Sequence, residues 1–130
     1  MKIYYTFPVL IIAIVSACTT HPTAPRAITT YANADLEKRT KQYDWVAVQI
    51  TPQPSANHLA IKVYSRNDVK IRQTCRYEGT ATWNGKGQYI TQENIEFSFK
   101  DTSLIIAGAE APLFYYCSGG ASLAGTYEQI

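Results

Sequence analysis

The sequence predicts an all-β domain: a small antiparallel meander of about seven or eight strands closed into a barrel or sandwich. Three observations carry that expectation. Apolar residues recur at every second position in several separate segments, and short clusters of turn-forming residues divide them. No long stretch of helical period stands between those segments to carry a parallel crossover.

Taken in order, "DWVAVQI" sets Val46, Val48 and Ile50 on one face, and "HLAIKVY" does the same with Leu59, Ile61 and Val63. "VKIRQTCRY" alternates Val69, Ile71, Cys75 and Tyr77 against Lys70, Arg72, Thr74 and Arg76. "NIEFSFK" alternates Ile95, Phe97 and Phe99 against Glu96, Ser98 and Lys100. One buried and one wet face produce this pattern in antiparallel strands. Turns are expected at "TPQPSAN", "SRND", "KDTS", "GAEAP" and "SGG", and "WNGKGQ" carries an Asn-Gly hairpin signal. "SLIIAG" and "PLFYYC" are more continuously apolar, as expected of central strands covered on both sides. "SLAGTYEQI" reads as a final strand entered through a tight hairpin, with Gly125 as a bulge or a point of close approach. The single helical reading is "NADLEKRTKQY", Asn33–Tyr43, capped by Asn33, with Asp35 and Glu37 early and Lys38, Arg39 and Lys41 late.

The N-terminus predicts an address. Lys2 is followed by an apolar segment from about Phe7 to Val15 and the small residues Ser16 and Ala17, the three parts of a secretory signal. The run is shorter than the roughly 20 residues a spanning helix needs, and Thr6 and Pro8 interrupt it. "VSAC", Val15–Cys18, resembles the lipobox of bacterial lipoproteins. The resemblance implies cleavage before Cys18, a thioether from its thiol to diacylglycerol, and acylation of the new amino group. Several acyl chains at about 0.8 kcal/mol per methylene anchor far more firmly than one. Thr19 in place of Asp implies sorting to the outer membrane, with the domain facing the periplasm or the cell surface. The Thr/Pro-rich residues 18–32, His21 among them, then read as an extended tether. The expected organisation is a signal peptide at 1–17, a lipidated tether at 18–32 and one β-domain at 33–130.

With Cys18 acylated, two of the three cysteines remain, and an even remainder in an exported chain points to a Cys75–Cys117 disulfide. A metal site would need more ligands than these and His58, so none is expected, and no cofactor is implied. Formal charge is only +2, too little for a nucleic-acid binder, but it is uneven. Lys62, Arg66, Lys70, Arg72 and Arg76 face the single Asp68, whereas Glu78, Glu93, Glu96, Asp101, Glu110 and Glu128 dominate beyond them.

Catalytic patterns are weak. "CSGGAS" has a glycine-rich serine but lacks the acid-serine context of a serine protease, and only His58 stands by as a base. "GGASLAG" lacks the Lys-Ser/Thr end of a phosphate loop. Glu93 and Glu96 read as solvated, and Trp83 as a residue of the barrel rim. The cationic strip Lys62, Lys70, Arg72 and Arg76 is the candidate site for an anion or an acidic partner. If Leu59, Ile61 and Val63 share a face with Val69 and Ile71, a three-residue loop sets Lys62 opposite Lys70 or Arg72. Such like-charge opposition is mildly unfavourable in a sheet. The expected function is therefore a non-enzymatic binding or accessory module, held to the membrane by its lipid and directed at an envelope protein or anionic envelope component. Two other readings are an inhibitor or immunity protein against an envelope-targeting enzyme, and an envelope hydrolase. In general plan a disulfide-bonded lipoprotein β-domain is similar to the membrane-bound inhibitors of c-type lysozyme. The Ser-Gly-x-x-Tyr loop of that family is not present here, so no binding residue is carried over.

Overall fold

Alternation along the strands places one face of each on a common core, and the sheet curls until its first and last strands meet. The computed structural model describes residues 24–34, 45–55, 57–66 and 74–130. Its strands are β1 (Thr29–Ala32), β2 (Trp45–Pro52), β3 (His58–Arg66), β4 (Arg76–Trp83), β5 (Tyr89–Thr91), β6 (Ile95–Lys100), β7 (Ser103–Gly108) and β8 (Gly125–Gln129). Each pairs antiparallel with the next, and β1 with β8, making a closed eight-stranded barrel. One helix, α1 (Glu110–Tyr115), lies between β7 and β8.

Register follows the predicted faces. Val48 pairs with Val63 and Ile50 with Ile61; Phe97 pairs with Ile106 and Phe99 with Leu104. These residues are 5 % exposed or less and form one continuous cluster with Tyr31, Tyr77, Tyr89, Leu123 and Tyr127. An eight-stranded barrel is just wide enough for its own side chains to fill. Aromatic rings cross that interior in sequence: Tyr31 to Phe99 at 5.9 Å, Phe99 to Tyr89 at 6.0 Å and Tyr89 to Trp83 at 5.1 Å.

The turns behave as their chemistry requires. In the β4–β5 hairpin the Asn84 side-chain oxygen accepts from the N–H groups of Lys86 and Gln88. Asp101, at φ 54°, begins the two-residue turn between Lys100 and Ser103.

Several expectations are corrected. "PLFYYC" is not a strand: Pro112 has no N–H to give a ladder, but the first turn of a helix needs none there. Residues 110–115 therefore coil, bury Leu113 and leave Phe114 and Tyr115 exposed. Leu113 stops the barrel end together with Leu123, whose N–H donates to the Leu113 carbonyl. "SLIIAG" is covered on one face only, since Ile105 is 39 % exposed between buried Leu104 and Ile106. The stretch read as tether runs too far, because Thr29–Ala32 is the strand that closes the barrel. "CSGGAS" links α1 to β8 rather than joining two strands, and Gly125 (φ 150°) has open space around it, not a close neighbour. The helix expected at 33–43 lies almost wholly outside the described residues. Asn33 itself serves β2: its side-chain oxygen accepts from Val46 N–H, and its own N–H donates to the Val46 carbonyl.

The disulfide joins Cys75 to Cys117, with Cα atoms 4.1 Å apart. It does not link two long strands, as the alternation implied, but pins the start of β4 to the chain leaving α1. Arg76 N–H donates to Tyr116 O and Ser118 N–H to Thr74 O, so the two cysteines form an isolated antiparallel bridge between flanking hydrogen bonds. Cys75's own backbone groups turn the other way. Its N–H donates to Ser65 Oγ at 2.8 Å, and the Ser65 hydroxyl donates to its carbonyl at 3.2 Å. The bridge is needed because β5 pairs only with Ala81–Trp83, leaving the first residues of the longer β4 without that neighbour.

Candidate functional site

The outer face of β3 and β4 carries the site, and register decides its make-up. Lys62 stands opposite Glu78 and Tyr64 opposite Arg76. These even-numbered residues point outward because their odd neighbours, Ile61, Val63 and Tyr77, are buried inside the barrel. Lys62, Tyr64, Arg76 and Glu78 line a recess of about 190 Å³ on the barrel wall.

This overturns the expected opposition of Lys62 with another cation. The connection after β3 is longer than three residues, β4 beginning only at Arg76, and Lys62 meets a carboxylate instead. Lys62 Nζ lies 3.9 Å from Glu78 Oε1, with both side chains more than half exposed. A pair this long and this wet contributes about 0–1 kcal/mol, so Glu78 holds Lys62 only loosely. Lys70 and Arg72 lie outside the described residues, so half of the predicted strip is brought together here: Lys62 and Arg76. Tyr64 and Glu78 were not anticipated. Both lie in the outward rows, and the offset between β3 and β4 would have found them.

A shallow trough continues from the recess across β2, β3 and β4, about 460 Å³ in volume and sharing Lys62 and Glu78. Gln49 is paired with Lys62 on one row; Thr51, Ala60 and Thr80 form the next. Ala60, in the outward row, is the small residue that makes the depression.

Inside the wall, Tyr77 lies along β4 over Gly79. A Cβ at Gly79 would overlap the Tyr77 hydroxyl and come 2.7 Å from its Cζ. That hydroxyl donates to Glu93 Oε2 at 3.0 Å, and the Tyr116 ring meets Tyr77 edge-on at 4.8 Å. Burial pushes the Tyr77 phenol up to about 12; a Thr91 hydrogen bond works against the rise and Glu93 adds to it. Glu93 thus has a structural partner, while Glu96 is half-buried on the opposite face of β6 from the core residues Ile95 and Phe97.

The remaining candidates are dispersed. His58 Nδ1 lies 3.1 Å from Thr82 Oγ1 at the end of β4, whereas Ser118 follows Cys117 beside its beginning. The length of β4, at about 3.3 Å per residue, separates them by roughly 20 Å, so they form no base–nucleophile pair. The serines of "CSGGAS" serve the turn: Ser118 hydroxyl donates to Thr74 O, and Ser122 Oγ accepts from Ala124 N–H. Trp83 is half-buried against the core. Among the described residues no group of three His, Cys, Asp or Glu is placed to hold a metal. No helix among them is long and apolar enough to cross a membrane. Cys18 precedes the described residues. No family model, curated protein or solved structure matches the chain.

Proposed function

We propose that the chain is a lipoprotein of the outer membrane, anchored through Cys18, whose β-domain is a non-enzymatic binding module for a partner in the envelope. The observation that carries this reading is the filled barrel. Its inward side chains form one buried cluster, so recognition falls to the outer wall, where the recess of Lys62, Tyr64, Arg76 and Glu78 is open. The polarity of the barrel supports the anchoring. Residues 24–28 lead into β1 beside the end of β8, where Ile130 N–H donates to Thr30 O. By strand direction, α1 and the disulfide belong to the opposite end. An acylated Cys18 stands at most about 40 Å of chain from the start of β1, whatever path the chain takes.

The test uses the full-length protein in cells. Alkyne-palmitate should label the wild type and not Cys18→Ala. A photo-cross-linking residue at Tyr64 should give a discrete adduct in envelopes, while one at Ser98, on the wall formed by β6, should not. Equal labelling of the Cys18 variant would refute the anchor. Absence of an adduct from every outward position tried would refute the binding module.

A further inference from the structure

We infer that the trough across β2, β3 and β4 receives an extended polypeptide segment of a partner, with an Asp or Glu side chain seated between Arg76 and Lys62. This rests on the binding-module reading and names what the module would take.

The charge argument comes first. The recess holds two cations and one acid, and the one ion pair among them is the loose Lys62–Glu78 contact at 3.9 Å. Arg76 is exposed, with its guanidinium in no ion pair among the described residues. A guanidinium presents a planar fork that matches a carboxylate through two parallel hydrogen bonds. Glu78 stands opposite Lys62, and Arg76 opposite Tyr64 one row along, so an incoming carboxylate can take Arg76 without displacing Glu78. Tyr64 lines the recess beside the cations, and Tyr and Arg are residue types enriched where proteins meet.

Size and shape then select the carrier. At about 190 Å³ the recess is smaller than the ~300–1,000 Å³ of small-molecule sites, yet it holds the end of a side chain. The adjoining trough is open and of mixed polarity, with Gln49, Thr51 and Thr80 offering amide and hydroxyl groups beside the small Ala60 side chain. A free phosphate or acetate would use the recess and leave the trough idle. A peptide in extended conformation uses both, its backbone along the trough and its acid in the recess. The scaffold is preorganised, because β3 pairs without interruption with β2 over eight residue pairs and with β4 over seven.

The experiment is selection of a phage-displayed random hexapeptide library on the full-length protein in detergent. Synthetic versions of the enriched peptides are then titrated into wild type, Arg76→Gln, Arg76→Lys and Lys62→Gln. The expected result is enrichment of peptides sharing an Asp or Glu whose binding shifts the amide signals of Tyr64, Arg76 and Thr80. Affinity should fall about tenfold or more in Arg76→Gln, the loss of a charge-assisted hydrogen bond, with partial retention in Arg76→Lys. Arg76 is exposed, so an unchanged thermal midpoint for its variants is expected and shows that the loss is not unfolding. Enriched peptides without an acid, affinity that survives Arg76→Gln, no enrichment at all, or full displacement by inorganic phosphate with the same amide shifts would each overturn the inference. Acid-free peptides bound elsewhere on the wall would overturn it and leave the binding-module reading standing.

Discussion

Gly79→Ala tests a close contact inside the barrel. The position lies in β4 with ordinary strand geometry, so an alanine there gains about 0.4–1 kcal/mol by restricting the unfolded chain. Against this, the new methyl would occupy the space of the Tyr77 hydroxyl, with the ring carbon Cζ at 2.7 Å. Tyr77 cannot simply swing aside. Its hydroxyl bond to Glu93 (3.0 Å) is of the charge-assisted kind worth about 1.5–3 kcal/mol. The edge-on Tyr116 ring at 4.8 Å adds about 0.5–1.5 kcal/mol. Displacing the ring forfeits both, and keeping it forces the strand apart, itself an overpacking cost of about 1–3 kcal/mol. Net of the gain, displacing the ring costs roughly 1–4 kcal/mol and forcing the strand apart roughly 0–2.6 kcal/mol, so a destabilisation of about 1–2.5 kcal/mol is expected, read as a lower urea midpoint at constant slope. In a Tyr77→Leu background the obstruction is gone, and the same Gly79→Ala change should be neutral or slightly stabilising. A Gly79→Ala protein as stable as wild type, or an equal loss in both backgrounds, would refute the packing argument.

Removing the disulfide by Cys75→Ser with Cys117→Ser should cost about 4 kcal/mol, from a sequence separation of 42 in the chain-entropy estimate. Calorimetry on the double variant checks this, and an unchanged melting temperature would contradict it. High pH should destabilise the barrel. The Tyr77 and Tyr127 phenols are both pushed up to about 12 by burial, from an ordinary value of 10.0, so the folded state holds protons that the unfolded state releases. Stability should hold steady below pH ~10 and fall by a few kcal/mol as pH rises from ~10 toward ~12. Urea titrations across that range, with tyrosinate absorbance followed in parallel, test it; a midpoint constant to pH 11.5 would contradict it.

Much of the fold is written in period-two alternation. Val46, Val48 and Ile50, Leu59, Ile61 and Val63, and Ile95, Phe97 and Phe99 are buried as their spacing requires, because a pleated strand with one wet face leaves no other arrangement. The disulfide partners were legible from an even cysteine remainder, and the odd-to-odd parity of β3 against β4 holds in the observed register. Tertiary structure alone decided the rest. Thr29–Ala32 has no alternation of its own and is a strand because β2 and β8 offer hydrogen bonds on both sides. Phe114, Tyr115 and Tyr116 are strand formers, yet Pro112 and the open barrel end make a short helix of that segment, with Leu113 as the stopper. Parity left the offset between β3 and β4 open, because it permits loops of many odd lengths. A short loop would set Lys62 against a cation, whereas the observed one sets it against Glu78 and gathers Tyr64 and Arg76 into the same recess. Composition could show that cations were present; only the pairing of two strands showed which groups they face.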